Sequence, residues 1–429
     1  MSKSIINSLR LIAEKTVVLG ISFLNSVLLA RYWGPELFGQ FSYILSFCAL
    51  FLPLTAMGLN NIVSQCFIKY AKHSDHYFKS ALIIRLTGAL IAVIIGYVIA
   101  GSFGHSQENL TNIIILLTMQ SFCAFYLIEF YFLATHNVQA TQKIRLITIL
   151  IVNVVKLIAI LNYVDLSLLI VIQGSEFVLI ALGYLAAYRR SNQNSKRRLS
   201  VRAVKVLFHR GKWLFMSGIA AVIYLKIDQV MLANMVGNEQ VAYYAAAAKL
   251  SEFWYVFPIL IANAFNTQLT QLSRESKAGY QALLYKSLQV LAFIALSISV
   301  MTYFLAPYII ELLYGMAYQQ SAVILSIHIF ATVFVFQRAI LSKWLIIEGH
   351  YHFSLISHGL GAIINLGLNM WLIPLYGGVG AAWASLIAYA SASYLFLFLN
   401  AKTRAFGLVM TQAMLTSLLA PKHIKQFKK

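Results

Sequence analysis

Apolar residues run in blocks of about twenty, the length that crosses the hydrocarbon core of a bilayer as one helix. Such blocks fall near residues 11–31, 38–60, 81–101, 111–133, 144–163 and 166–188, and again near 213–236, 242–267, 287–306, 321–347, 354–374 and 378–400. The pattern predicts an all-α polytopic membrane protein of about twelve transmembrane helices in two six-helix lobes. The polar stretch after Tyr188 divides six spans from six. It sets an N-terminal lobe at 1–188, a basic linker at 189–212, a C-terminal lobe at 213–400 and a basic tail at 401–429. Val201, Val204 and Phe208 recur at helical spacing, so the linker is expected to end in a surface helix. The apolar part of the tail, Ala405 to Pro421, is short for a span. Crossing would place Lys422, Lys425, Lys428 and Lys429 on the far side, so it is expected to lie along the cytoplasmic interface.

Composition agrees: of 429 residues, 60% are hydrophobic and 11% charged, and the mean hydropathy is +0.76, far from a soluble domain. The net charge of +20 would suit nucleic acid, but its distribution points elsewhere. Of 33 Lys and Arg, 28 fall on the side of the N-terminus, including Lys69 to Arg85 and the Lys143/Arg145 pair. One, Arg31, falls on the opposite side, and Lys156, Lys226, Lys249 and Arg338 lie inside spans. That is the positive-inside bias. It predicts cytoplasmic termini and basic loops against the anionic headgroups of a phospholipid bilayer, with no nucleic acid partner. The opening MSKSIINSLR has no small-residue cleavage site behind a short apolar core and reads as a lead-in to the first span. Cys48, Cys66 and Cys123 show no metal-ligand spacing and read as packing residues; His350, His352 and His358 read as part of a loop at the membrane interface. No H-E-x-x-H, G-x-S-x-G or P-loop is present.

The halves resemble each other. An offset of 203 pairs Leu29 with Leu232, Ala30 with Ala233, Gly34 with Gly237, Glu36 with Glu239 and Asn60 with Asn263, and sets Asn25 opposite Asp228. Six helices separate the copies, so both have the same orientation and a pseudo-two-fold axis along the membrane normal is expected. Pro53 and Pro258 should kink the second and eighth spans. Intramembrane charges are costly and normally face a partner or a wet cavity. Lys226 and Asp228 on the seventh span, and Lys249 and Glu252 on the eighth, share a depth roughly 15 to 18 Å below the outer end. They read either as a functional lining or as internal ion pairs that hold the hairpin. In the functional reading, Arg31, Lys226, Lys249 and Arg338 attract an anionic head group, and Asp228 or Glu252 is the coupling carboxylate. Asn25, Asn60 and Asn263 are the repeat-related polar positions. Glu129, Lys156, Glu176 and Arg338 lie at different depths and do not suggest one shared site.

The segments LLARYWGPELFGQFSYILSF and MGLNN, KIDQVMLANMVGNEQVAYYAAAAKL, and LIPLYGGVGAAWASLIAY resemble the polysaccharide-transporter family. It includes the O-antigen flippases of the multidrug/oligosaccharidyl-lipid/polysaccharide exporter superfamily. The resemblance implies a V-shaped central cavity and alternating access. It also implies movement of an undecaprenyl-diphosphate-linked oligosaccharide, such as a lipopolysaccharide repeat unit, to the outer leaflet of the bacterial inner membrane. No cofactor is implied, and H+ and Na+ both stay open as coupling ions. Polysaccharide polymerase and chain-length machinery are the protein partners to look for. A cation-coupled drug or metabolite antiporter of the same superfamily is the alternative. A membrane-embedded polymerase or ligase is less favoured, because such enzymes are expected to carry a long outer loop with Arg or His.

Overall fold

A backbone inside a bilayer has only itself to hydrogen-bond to, and a run of Leu, Ile, Val and Ala with few polar side chains settles that need as a helix. Every regular element among the described residues is helical. The computed structural model describes residues 3–69, 74–104, 106–135, 138–191 and 200–417. In chain order the helices are α1 (Lys3–Ala49), α2 (Leu52–Ala56), α3 (Asn60–Lys69), α4 (Ser74–Ser102), α5 (Gln107–Gln120), α6 (Leu127–Ala134), α7 (Val138–Leu161) and α8 (Leu166–Ser191). They continue as α9 (Val201–Val236), α10 (Asn238–Glu252), α11 (Val256–Glu275), α12 (Lys277–Tyr314), α13 (Gln320–His328), α14 (Ala331–Ile347), α15 (Tyr351–Ser393) and α16 (Ala401–Thr416).

Ten stretches among the described residues are long and apolar enough to cross a membrane. Two of them, Gly20–Ala56 and His352–Ser393, turn at Gly34 (φ 78°, ψ 177°) and Gly377 (φ 54°, ψ −131°). Each is therefore a pair of spans, which agrees with the expected dozen. The chain forms two compact units, Met1–Val230 and Met231–Lys429. The expected linker helix and the seventh span are one continuous helix, α9; linker residues 192–199 lie outside the described residues.

The internal repeat is visible in the backbone. Gly237 (φ 98°, ψ 171°) adopts the conformation of its counterpart Gly34. The interruption between Ala49 and Leu52 has its equivalent, at the same offset, in the 3-10 turn Phe253–Tyr255. Pro53 and Pro258 lie in the first turns of α2 and α11, directly after these interruptions. There a missing backbone donor removes no bond, so each proline starts a new helix where the sequence suggested a kink within one.

Polar side chains attend such breaks. Gln120 Nε2 donates to the Cys48 carbonyl at 2.9 Å, and Arg338 Nη1 to the Ala392 carbonyl, near the end of α15, at 2.8 Å. Lipid cannot supply those donors. In the Met1–Val230 unit, Phe78 stacks on Tyr188 at 4.4 Å and Tyr131 meets Tyr188 edge-on at 5.0 Å. They stand in a core with Val63, Phe67, Ile128 and Leu207. In the Met231–Lys429 unit, Ala245 to Ala248 of α10 are all buried, a run of small residues that lets neighbouring membrane helices approach closely on all sides. The tail helix α16 buries Phe406, Gly407, Met410 and Ala413. Phe406 stacks on Trp344 at 4.5 Å and Gln289 Nε2 donates to the Thr416 carbonyl, so this helix is packed into its unit. Residues 418–421, the rest of the expected interfacial segment, lie outside the described residues.

Candidate functional site

The second span breaks at Met57 and Gly58, both with positive φ (50° and 63°). The break leaves a gap between α2 and α3 that becomes one wall of a cavity of about 610 Å³ in the Met1–Val230 unit. Gly58 is needed there because α9 crosses it closely. A Cβ at Gly58 would stand 2.5 Å from the Phe215 nitrogen and 2.7 Å from the Gly211 oxygen. Pro53 and Asn60 flank the break, Arg85 of α4 and Arg145 of α7 bring charge, and Phe130, Phe177 and Phe215 supply apolar surface.

Arg85 is the most unusual group in this cavity. It is 3% exposed, and its Nη2 donates to Asn60 Oδ1 at 2.6 Å. Its Nε and Nη1 have no hydrogen-bond partner among the described residues. A buried guanidinium with idle donors is costly, and the acceptors that satisfy it best are the oxygens of an anion. Arg145 faces the cavity more openly, with its Nη1 3.7 Å from Glu129 Oε2 and side-chain exposures of 51% and 33%. Tyr184 Oη donates to the same carboxylate oxygen at 3.4 Å. Two guanidinium groups against one carboxylate leave the lining positive.

The residues expected from sequence are spread out. Asn60 is at the cavity, bonded to Arg85. Asn25 is buried and donates to Asn153 Oδ1 at 2.7 Å and to the Asn153 carbonyl at 3.0 Å. Its repeat counterpart Asp228 is 1% exposed, while Lys226 is half-buried. In the other unit, Lys249 and Glu252 are half-buried on α10 and Asn263 is exposed on α11. Arg31 is exposed at the end of its span. Arg31, Lys226, Asp228, Lys249 and Glu252 all engage other groups. Arg338 donates to Ser357 Oγ and the Ala392 carbonyl at 2.8 Å and meets His358 Nε2 at 2.7 Å, an arrangement that ties helices together. Of the four scattered intramembrane charges, Glu129 joins the cavity, and Lys156 donates to Gln173 Oε1 on α8, the helix that carries Glu176.

Arg85 and Arg145 were counted in sequence with the basic residues on the side of the N-terminus, although both fall just inside the expected spans 81–101 and 144–163. Arg85 is flanked by Ile83, Ile84 and Leu86, and a charge with apolar neighbours on both sides was the available signal that it is a candidate site residue.

A family model described as polysaccharide biosynthesis protein matches residues 6–265, and one described as MatE matches residues 214–371. The capsular polysaccharide biosynthesis protein CapF of Staphylococcus aureus is 21% identical over 369 residues, covering 84% of this chain and 90% of that protein. Among solved structures, the lipid II flippase MurJ in an inward closed conformation superposes with a TM-score of 0.74 at 16% identity, covering 95% of this chain and 90% of its own. An inward-facing multidrug resistance transporter of the MATE family superposes with a TM-score of 0.70 at 14% identity, covering 92% and 96%. Both share this fold.

Proposed function

The chain belongs to the polysaccharide biosynthesis protein family, and from that membership we propose that it is a flippase for a lipid-linked oligosaccharide whose diphosphate is engaged at the Arg85 cavity. The observation that carries this reading is the buried guanidinium with two unbonded nitrogens on the wall of a cavity of about 610 Å³. Arg85, Arg145 and Asn60 present a positive, donor-rich surface to a diphosphate, and Phe130 and Phe177 present apolar surface to what it carries. The names of the relatives favour the same cargo, since one is a capsular polysaccharide biosynthesis protein and one a lipid II flippase. In this reading the membrane is the bacterial inner membrane. The basic turns face the cytoplasm, and the cavity opens toward the leaflet where lipid-linked units are assembled.

Deleting the gene then abolishes surface polysaccharide and leaves the lipid-linked unit on the cytoplasmic leaflet. Re-expression of Arg85→Ala restores export about 10- to 100-fold less well than wild type, the loss of one or two charge-assisted hydrogen bonds at about 1.5 kcal/mol each. Unchanged surface glycan in the deletion strain refutes the reading. The MatE match over residues 214–371 favours a second reading, a cation-coupled drug antiporter. The excess positive charge of the cavity opposes cationic cargo, and efflux of a cationic dye with no change in surface glycan would decide for it.

A further inference from the structure

A second cavity, of about 490 Å³, lies in the Met231–Lys429 unit where the polar ends of α12 and α14 meet the tail helix α16. Lys277 at the start of α12 and Glu348 in the turn after α14 are exposed residues on its rim. Tyr280, Leu284, Trp344 and Phe406 are buried and form its floor. Tyr285, on the wall, meets Thr416 Oγ1 at 2.6 Å, which anchors α16 to α12 beyond the cavity. Tyr280 is 7% exposed. Its hydroxyl interacts electrostatically with the Glu348 carboxylate but has no hydrogen-bond partner among the described residues. A buried hydroxyl left so is costly, and a primary ammonium set between it and the carboxylate donates to both oxygens at once. The aromatic floor favours a cation in the same place, while the Lys277 ammonium suits a phosphate oxygen.

A rim with one charge of each sign matches a ligand that carries both. Its surroundings make that ligand a lipid. From Ala405 on the cavity wall, an apolar face of α16 continues through Leu408 and Leu415, which are 59% and 72% exposed. The spacing keeps the three on one side of the helix, a track for acyl chains. The rim sits at the ends of two spans, the level at which aromatic and basic side chains meet headgroups. We propose that this cavity binds a zwitterionic ethanolamine phospholipid of the surrounding bilayer, with its ammonium at Glu348 and Tyr280 and its phosphate at Lys277. The bound lipid links α12, α14 and α16. This site is separate from the Arg85 cavity and does not depend on how that cavity is used.

The test is native mass spectrometry of the delipidated full chain in detergent, titrated with phosphatidylethanolamine, phosphatidylcholine and phosphatidylglycerol of the same acyl chains. The wild type is expected to take up its first phosphatidylethanolamine about 10-fold more tightly than either other lipid, the worth of one charge-assisted hydrogen bond. Glu348→Gln, a change at an exposed side chain, is expected to lose that preference while binding phosphatidylglycerol at least as tightly as before. Lys277→Ala is expected to weaken all three. Glycerophosphoethanolamine, which has the same head and no acyl chains, is expected not to displace the lipid at equal concentration. Phosphatidylglycerol or phosphatidylcholine bound as tightly by the wild type overturns the assignment, and so does a preference that survives Glu348→Gln. Displacement by glycerophosphoethanolamine would make the ligand a soluble one and overturn the lipid site.

Discussion

Replacing Gly58 by alanine should destabilise the unit that holds the cavity, and the size of the effect follows from two terms. Gly58 has φ +63°, and an added Cβ would lie 2.5 Å from the Phe215 nitrogen, 2.7 Å from the Gly211 oxygen and 3.1 Å from the Leu214 carbonyl carbon. All three are backbone atoms of α9, so no side chain can swing aside and the helix itself must move. Overpacking of this kind costs about 1 to 3 kcal/mol, and a left-handed conformation for a residue with a Cβ adds about 1 to 2 kcal/mol. The expected total is about 2 to 5 kcal/mol. The three free cysteines, Cys48, Cys66 and Cys123, are buried and all belong to this unit. A thiol-reactive dye therefore reports its unfolding directly. Purified Gly58→Ala should react with the dye at a temperature several degrees below wild type. Gly20→Ala, on α1 with nothing within 4 Å of the added Cβ, should match wild type or gain slightly from helix propensity. A Gly58→Ala protein that melts with the wild type would refute the close crossing of α9 over the break.

Other outcomes follow from the buried polar groups. Arg338→Lys cannot reproduce the fork that reaches Ser357, His358 and the Ala392 carbonyl. It should lower thermal stability by about 1.5 to 3 kcal/mol and reduce abundance, while export per folded molecule stays at the wild-type level; a specific export defect in well-folded protein would give Arg338 a transport role. Asp228→Asn keeps the shape of a side chain that is 1% exposed. It should impair export at normal abundance, and wild-type export would remove Asp228 from the coupling role. Asn25→Ala should cost about 0.6 to 1.7 kcal/mol, the range for interhelical polar pairs in membranes. A double Asn25→Ala/Asn153→Ala variant should cost less than the sum of the two singles, because the pair at 2.7 Å is lost only once; full additivity in thermal melts would contradict the pairing.

Some of the candidate site was legible before any coordinates, and some was not. Asn60 was singled out because it recurs in the repeat, and it proves to be the partner of Arg85. Glu129 was noticed as an intramembrane charge, but nothing along the chain joins it to Arg145, sixteen positions away on another helix. Arg85 was counted only as a basic residue on the side of the N-terminus, because such a count records which end of a span a charge lies near, and not what it faces. Arg338 was read as part of a cationic lining, and its described bonds go to α15 of its own unit. Hydropathy cannot tell a charge that faces a cavity from one that caps a helix end.

The sequence by itself determined the all-helical membrane architecture, the approximate number of spans and the repeat that gives Gly34 and Gly237 the same backbone geometry. These are local properties, set by the length of apolar runs and by the φ values that particular residues tolerate. Only the tertiary structure decided where the cavity lies, which charges share it, and which side chains answer the broken helices. Those depend on how α3, α4, α6, α7 and α9 pack around the break at Gly58. Packing joins residues far apart in the chain through contacts that no period in the sequence encodes.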